Sequence, residues 1–490
     1  MSGEEEVELK LQLDPADVAI LLDDPIFADH HPICRDQVST YFDTEKRALR
    51  AAGMSLRIRM SNGKRVQTIK TESKAAASLF ARGEWERGVE DDTPVLDDAP
   101  PTITQLFADK DRPLAPAFQV EINRTTVVCE EGSDRIELVA DLGRAIADGR
   151  ETAIAEIELE LLDGSRKALF ALAHRLSAIV PLRLGVQSKS ERGYALLSGR
   201  QALSTKAEPI ALARDGDTAA LFETVAGACV RQFRLNEDRL LVTGSPASLH
   251  QARVGLRRLR SALSTFREML AGPEFDRFRE EFRTLANRLG GVRDVDVMIE
   301  KIDHEAALER LRTARVERYE GVVQMLGSPA VRTLMLDFVE WLSVGEWRSR
   351  DATTELRDTP ATVTAERILD RLRRRIKRRG KHLAGLDAHE RHRVRIVGKT
   401  LRYSAEFFAD LYPGKKVVHR HAAFVNAIGD LQTALGHLND LASGRALLDE
   451  LGIADGDAIL ASGKKADAKR LLADAEKAHH ALIAMKHFWR

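Results

Sequence analysis

The sequence predicts a multidomain α+β protein, with a strand-rich N-terminal part followed by an almost wholly helical C-terminal part. Three observations carry this. Short period-2 runs recur up to about residue 195 and then cease. From Ala219 onward the apolar spacing is helical, with Pro and Gly confined mostly to breaks such as GSP at 244–246 and YPG at 412–414. Within that helical part, one pattern of cations is written twice, 142 residues apart.

Composition bounds the rest. At 490 residues, with 44% hydrophobic and 31% charged, the chain reads as soluble and globular, with room for two or three cored domains. A net charge of zero hides an asymmetry. Residues 1–200 hold 26 Lys and Arg against 35 Asp and Glu, net −9, and the remainder holds 49 against 40, net +9. The two parts are therefore suited to different electrostatic work. Cys34, Cys129 and Cys229 show no spacing that suggests zinc or a disulfide framework, which points to a reducing compartment. The opening MSGEEEVELK lacks an apolar h-region, and no run of about 18 apolar residues occurs. A cytoplasmic protein that does not engage a membrane is expected.

The period-2 runs are EVELKLQL, SLRIRM, RVQTIKT, FQVEINRTTVV, DRIELVAD and AIAEIELEL. Most place charge on one face and aliphatic residues on the other. A sheet with its charged face to solvent would do this, and so would a closed barrel with a polar lumen. In the first run Glu6, Glu8 and Lys10 share a face, with the two carboxylates about 7 Å apart at Cα, a spacing that suits oxygen ligation of a hard divalent cation. An exposed edge strand with alternating charges is the blander reading of the same pattern. The pattern returns at Glu156, Glu158 and Glu160, and at Glu84 and Glu86 around Trp85, with Arg82 on the same face. Three acids on one strand face repel one another unless cations sit between them. Arg57, Arg59, Lys70, Arg124, Arg135 and Lys189 supply cations. A surface carrying both sets is costly unless a metal-bound anion settles there, with carboxylates on the metal and cations on phosphoryl oxygens.

Periodicity is lost over 198–218, where the domain boundary is placed. Beyond it His250, Arg253, Arg257, Leu259, Arg260 and Phe266 recur as His392, Arg395, Lys399, Leu401, Arg402 and Phe408. Helix offsets 0, 3, 7 and 10 fall within roughly 80° of one another, so each copy makes a one-sided cationic row while Leu256, Leu259, Leu263 and Phe266 pack. Such a row suits a long polyanion. LGGVRDVDV at 289–297 is echoed by LGHLNDLAS at 435–443, so the repeat extends into a pair of similar helical bundles. The basic run RLRRRIKRRGKH at 371–382 reads either as a solvated helix face or as a further anion contact.

EVELK at 6–10, SLRIR at 55–59, TIK at 68–70, RGEWE at 82–86, EIELE at 156–160 and KSERGY at 189–194 resemble the motifs of the CYTH domain, the triphosphate tunnel metalloenzymes, in family order. The resemblance implies an N-terminal eight-stranded antiparallel β-barrel tunnel over 1–199 that binds a triphosphate with Mg²⁺ or Mn²⁺. It implies metal binding by Glu6, Glu8, Asp141, Glu156, Glu158 and Glu160, with the register on the 156–160 strand open. Lys10, Arg57, Arg59, Lys70, Arg82, Arg124 and Lys189 correspond to triphosphate-binding bases, and Glu6, Glu8, Lys10, Glu156 and Glu158 carry catalysis. One departure is that Arg65 or Val66 stands where the family often has Trp, which bears on substrate stacking more than on catalysis.

HQARVGLRRLR at 250–260 and HRVRIVGKTLRY at 392–403 resemble the two signature helices of the CHAD domain, a conserved-histidine α-helical domain. This implies a C-terminal all-α domain over 218–490, after a linker at 200–217, built of two pseudo-symmetric four-helix bundles with halves of about 218–355 and 360–490. Inorganic polyphosphate would lie on His250, Arg253, Arg257, Arg258, Arg260, His392, Arg395, Lys399 and Arg402. Taken alone, His250 and His392 would more often be core or capping residues. Repetition of four cationic positions in register favours an anion.

The expected activity is metal-dependent hydrolysis of inorganic triphosphate to pyrophosphate and phosphate, with polyphosphate bound by the helical domain. A thiamine triphosphatase, a class IV-like adenylate cyclase, and a non-catalytic polyphosphate- or nucleic-acid-binding protein are the alternatives. Aromatic content of 5% and cationic rows without interleaved aromatics argue against single-stranded nucleic acid.

Overall fold

The alternating segments form one antiparallel sheet. Its strands are β1 (Glu6–Gln12), β2 (Ile33–Asp43), β3 (Met54–Ser61), β4 (Lys64–Thr71), β5 (Leu79–Arg82), β6 (Glu84–Val89), β7 (Ala115–Glu131), β8 (Asp134–Ala147), β9 (Arg150–Asp163) and β10 (Arg183–Leu184). This computed structural model describes residues 6–28, 30–71, 79–82, 84–97, 99, 103, 113–199, 203–453 and 468–490, with the backbone alone at 6, 28, 79–82, 439–443 and 468–469. The hydrogen-bonded order is β10-β1-β9-β8-β7-β2-β3-β4-β6, with β5 pairing β1 off that path. The path does not close through a single strand. Consecutive segments β5 and β6 instead pair with β1 and β4 near its two ends. The expectation of eight strands differs from this count because segments 79–82 and 84–89 are counted separately and two-residue β10 is added.

Two-residue hairpins need positive φ at both central positions to match the strand twist. Asn62 and Gly63 supply it between β3 and β4 (φ 49° and 73°), and Asp148 and Gly149 between β8 and β9 (φ 49° and 71°). These turns set the register and so decide which face each charged residue takes. Leu9, Leu11, Ile157 and Leu159 go to one face and are fully buried. Helix α1 (Arg166–Ile179), capped by the Ser165 side chain, packs on β9 and buries Leu169, Phe170, Ala173 and Leu176.

The other face is apolar at one end, where Tyr41, Phe118, Val120, Ile122 and Ile154 cluster with Tyr194 of helix α2 (Lys189–Leu197). The motif KSERGY explains how α2 is seated. Ser188 and Glu191 form a reciprocal capping box. Gly193 lies so close to β7 that a Cβ there would sit 2.1 Å from the Phe118 ring. The Tyr194 hydroxyl donates to Asp43 Oδ2 at 2.7 Å, and Asp43 also accepts from the Thr44, Leu49 and Arg50 amides. Lys189, the first residue of α2, is thereby delivered to the charged part of the inner face.

The helical part contains α3 (Thr218–Thr243), α4 (Pro246–Thr265), α5 (Pro273–Lys301), α6 (Glu305–Leu326), α7 (Pro329–Val344), α8 (Ala361–Arg379), α9 (Ala388–Phe407), α10 (Lys415–Glu450) and α11 (Ala468–Ala484). Helices α3 to α6 pack in a ring, and α8 to α11 repeat that ring. The copies meet where α4 packs on α9, and the repeat-related Phe266 and Phe408 form an edge-to-face pair at 6.2 Å. The chain ends as a plug in the second ring: Trp489 is fully buried and donates to Asp370 Oδ1 at 3.0 Å, while Phe488 packs on Phe424 and Tyr412.

The chain divides into two compact units, one of residues 1–203 with 329–344, the other of 204–328 with 345–490. Helix α7 therefore departs from the expected half at 218–355. It buries Val331, Leu334, Met335, Phe338, Val339, Trp341 and Leu342 along one face, and Leu336 on the opposite side. It packs on α1 and β10, with His174 Nε2 2.8 Å from Glu340 Oε2. Residues 204–212 are likewise no free linker. Thr205 exchanges backbone hydrogen bonds with the Asn236 amide, and Arg231 Nε donates to Glu208 at 3.1 Å. Among the described residues no single helix is long and apolar enough to cross a membrane.

Gly193→Ala should cost about 1–3 kcal/mol by overpacking against Phe118. An unchanged denaturation midpoint for that variant would refute the close-approach account of this glycine.

Candidate functional site

The inner face of the sheet lines a cavity of about 1200 Å³. Register explains which side chains meet in it. Glu8 lies across from Glu160, Lys10 from Glu158, and Gln12 from Glu156 on the β1–β9 ladder. On the other edge of β9, Glu137 faces Glu160 and Asp141 faces Glu156, and Arg124 of β7 in turn faces Asp141. Acids thus gather on β1, β8 and β9. Arg35 of β2, Arg57 and Arg59 of β3 and Lys70 of β4 line the same cavity.

At the α2 end the charges interlock. Lys189 Nζ lies 2.7 Å from Asp141 Oδ2 and 2.8 Å from Glu158 Oε1, and also pairs with Glu156. Lys10 Nζ lies 3.2 Å from Glu156 and 3.3 Å from Glu8, and pairs with Glu158. Arg124 grips Asp141 with two hydrogen bonds of 2.8 and 2.6 Å and reaches Glu158 at 2.9 Å. Asp141, Glu156 and Lys10 are at most 2% exposed. Burial alone would lower the Lys10 pKa, but Glu156, Glu158 and Glu8 outweigh it and raise it. Burial would likewise raise that of Glu158, yet Lys10, Lys189 and Arg124 hold its carboxyl well below the usual range.

Asp141, Glu156 and Glu158 bring potential ligand oxygens within 4.8 Å of one another. Their charge is already answered by Lys10, Lys189 and Arg124, so this trio fits a cation-binding role less well than the neighbouring row. In that row the Glu160 pKa is raised, by burial and then by Glu137 and Glu8. Repulsion among carboxylates on adjacent strands is what a divalent cation relieves, and an all-oxygen set fits Mg²⁺ or Mn²⁺. Glu6 lies on the same strand face as Glu8, but its side chain is outside the described residues, as is that of Arg82.

The remaining bases sit opposite. Lys70 pairs with Glu84 at 2.7 Å, and Arg59 lies 3.7 Å from Glu86. The Arg59 pKa is lowered by burial and by Arg57 beside it. Arg57 also meets Tyr41, whose ring is stacked on Phe118 at 4.6 Å. The sequence reading missed Arg35, Lys64, Glu137, Ser188 and Ser190, all of which line the cavity. Period 2 through Arg35 and Gln37 was the available signal for the first. Lys189 enters from a helix rather than a strand, which alternation cannot show.

In the helical unit the two rows converge. Arg253 is surrounded by Arg257, Arg293 and Arg395, with Asp294 the acid beside it, and burial with those cations pushes its pKa down to about 10. His250 is lowered in the same way, by burial and then by Arg293, Arg257 and Arg253. Arg260 is lowered by burial, Arg283 and Arg257. The LGG and LGH motifs lie against the two rows: a Cβ at Gly290 would meet Arg253 Nη2 at 3.5 Å, and one at Gly436 Arg395 Nη2 at 3.9 Å, both ordinary contact distances. Arg293, from the first of these motifs, is a member that sequence reasoning missed.

Arg258 does not belong to the row. It is 5% exposed, sits over the Phe407 ring at 5.1 Å and lies 3.6 Å from Glu406 Oε2. Eight residues after His250 it falls about 80° round the helix, toward the α4–α9 contact instead of the cationic side. Arg402 donates to Glu406 at 2.9 Å, so Glu406 joins the two copies.

A carboxylate whose folded pKa is depressed contributes stability above its unfolded pKa and loses it as pH falls. Glu158 should therefore protect the first unit down to about pH 4.5 and yield below it, and Lys189→Met should move that acid loss to higher pH. An identical pH profile for the variant in chemical denaturation would show that Lys189 does not set this behaviour.

Comparison with known proteins gives a family match for each part of the chain. Residues 4–194 match the family model of the CYTH domain, and residues 224–449 that of the CHAD domain. An inorganic triphosphatase of Haemophilus influenzae is 31% identical over 210 residues, 41% of this chain and 57% of that protein, so the chain spans little more than half of that curated relative. The crystal structure of the CHAD domain from the plant Ricinus communis superposes with a TM-score of 0.50 at 28% identity, over 58% of this chain and 98% of that one. The protein is thus a CYTH-domain protein that carries a CHAD domain after it.

Proposed function

We propose that the first unit hydrolyses inorganic triphosphate to pyrophosphate and phosphate with a divalent metal, and that the helical unit binds inorganic polyphosphate. The observation that carries the first part is one cavity with carboxylates on β1, β8 and β9 facing Arg35, Arg57, Arg59 and Lys70 across it. Such a lining suits a multiply charged anion brought in with a cation. Among the described residues, the one aromatic side chain lining the cavity is Tyr41, and Phe118 covers a face of its ring. Similarity to an inorganic triphosphatase supports the same choice.

Glu8 and Glu160, with Glu137 alongside and Glu6 on the same strand face, would hold the metal, which supplies Lewis-acid neutralisation of the phosphoryl oxygens and acidifies water. The chain's own groups do the rest. Arg57, Arg59, Lys70 and Arg35 bind and align the phosphate chain. Lys10, Lys189 and Arg124 are fixed in place before substrate arrives, so their fields stabilise developing charge without reorganising. In the helical unit, the supporting feature is the convergence of Arg253, Arg257, Arg293 and Arg395.

Ile33, Val128 and Leu162 leave an apolar stretch along the cavity lining, which an organic triphosphate ester would use. The deciding experiment is a panel of triphosphate, thiamine triphosphate, ATP and long polyphosphate with Mg²⁺ and Mn²⁺, read for phosphate and for cAMP. Triphosphate should be the preferred substrate. Faster turnover of either organic ester would replace this reading.

Glu8→Gln and Glu160→Gln should each raise the metal concentration for half-maximal activity about tenfold or more. Undiminished turnover with unaltered metal dependence would remove the proposed site. Arg253→Glu with Arg395→Glu should abolish most polyphosphate binding and spare triphosphate hydrolysis. Equal binding by that double variant would sink the role of the paired rows.

A further inference from the structure

The basic run at 371–382 is not used by either site above. It forms the last turns of α8, and cations there suit the helix dipole, which would be a sufficient account if they stood alone. They do not. Arg393 of α9 joins Arg375 and Arg378 around Arg379, and these three are the charges that lower the Arg379 pKa once burial has acted. Arg375, Arg378 and Arg393 are exposed, and Arg379 is half-buried with Nε shut from solvent and without a hydrogen-bond partner. Among the described residues none of the four makes a hydrogen bond or ion pair. On α9, Arg393 lies about 100° from His392, on the side away from the row of His392, Arg395, Lys399 and Arg402.

Internal symmetry shows what the same face does in the first copy. The buried Thr218, Phe222, Val225, Ala226, Cys229 and Phe233 of α3 correspond to the buried Ala361, Ala365, Ile368, Leu369, Leu372 and Ile376 of α8, each 143 residues on. At that spacing Gln232 corresponds to Arg375, Leu235 to Arg378 and Asn236 to Arg379. On the α4–α9 pair, 142 apart, Gln251 corresponds to Arg393. In the first copy this face is occupied. The segment 204–212 runs along it in extended form, with Asn236 taking both the N–H and the C=O of Thr205, Arg239 holding the Thr205 hydroxyl, and Arg231 reaching Glu208. Gln232 and Gln251 are bonded to each other beside it at 3.2 Å. The positions of Gln232, Leu235, Asn236 and Gln251, uncharged beside that segment in one copy, thus carry arginines in the other.

We propose that the α8–α9 face around Arg375, Arg378, Arg379 and Arg393 is a second anion groove, which takes an extended inorganic polyphosphate chain where the α3–α4 face takes residues 204–212. The occupant must be extended, because the shape is that of the strap's seat, and it must be anionic, because among the described residues no carboxylate pairs with the four guanidinium groups. This rests on the polyphosphate reading of the helical unit given above. A chain long enough to leave the Arg253–Arg395 rows would gain a second set of contacts, so long polymers would bind more tightly than short ones.

The test uses the full chain and inorganic polyphosphate at several salt concentrations. Arg375→Gln with Arg379→Gln and Arg393→Gln places amides at three of the four positions. It should lower affinity at low salt about tenfold or more and reduce the slope of log affinity against log salt by about 2–3. Triphosphate hydrolysis should be unchanged. Arg375→Gln with Arg393→Gln, both at exposed positions, should show the same effect in smaller measure if the triple variant folds poorly. Unaltered affinity and slope in these variants, with binding lost in an Arg253→Gln, Arg395→Gln variant, would overturn this inference alone. Polyglutamate binding that depends on the three arginines, beside polyphosphate binding that does not, would also overturn it by assigning the groove to an acidic peptide. A wild-type chain that binds no polyphosphate would overturn this inference together with the reading it rests on.

Discussion

Lys10 and Lys189 stand between Asp141, Glu156 and Glu158 in the interior of the sheet, and much of the first unit serves that placement. Buried carboxylates on neighbouring strands are mutually repulsive, and each ammonium is costly to desolvate. Together they are tolerable only when the distances are short and the geometry is held. The strand register aligns Lys10 with Glu158. The capping box, the close approach at Gly193 and the Tyr194–Asp43 hydrogen bond align Lys189 from the other side. Weakening any of these supports leaves charges buried without their partners, and that is a larger loss than the contact itself.

The compensated cluster also divides the cavity by chemistry. At the α2 end, acids and bases neutralise each other and form a rigid polar floor. Along the rest of the lining, Glu8, Glu137 and Glu160 remain crowded, and Arg35, Arg57, Arg59 and Lys70 face them. A site in which like charges are crowded on neighbouring strands is one that a charged ligand relieves. The helical unit works on a similar basis, since Arg253 is held among Arg257, Arg293 and Arg395 at a cost to its own protonation. In both units, like charges gathered on a rigid scaffold mark where an ion of opposite sign belongs.

Duplication gives the helical unit a way to differentiate its faces. The two rings repeat their buried positions, yet they diverge where Gln232, Asn236 and Gln251 become Arg375, Arg379 and Arg393. Glu406 does the same at the contact between copies, where it receives both Arg258 and Arg402. Positions packed inside each ring keep their apolar character, whereas those turned away from the ring change with what covers them: Gln232 and Asn236 are buried under residues 204–212, and Arg375 is exposed.

Much of this was legible before any coordinates. Alternation in EVELKLQL and AIAEIELEL and the repeated cations at helical spacing depend on local geometry, which a chain carries in its order of residues. Those features settled the strands, the helices, the resemblance to two families, the common face of Glu8 and Lys10 on one strand, and that of Glu158 and Glu160 on another. What only the tertiary structure decided lies in contacts between distant segments. It pairs Lys189 with strand acids from a helix end, turns Arg258 toward Phe407, assigns α7 to the first unit, and leaves Arg379 facing Arg393 from a second helix. Periodicity reports which face a side chain takes on its own element. It carries no record of what another element brings against that face, and the charge balance of both sites is set there.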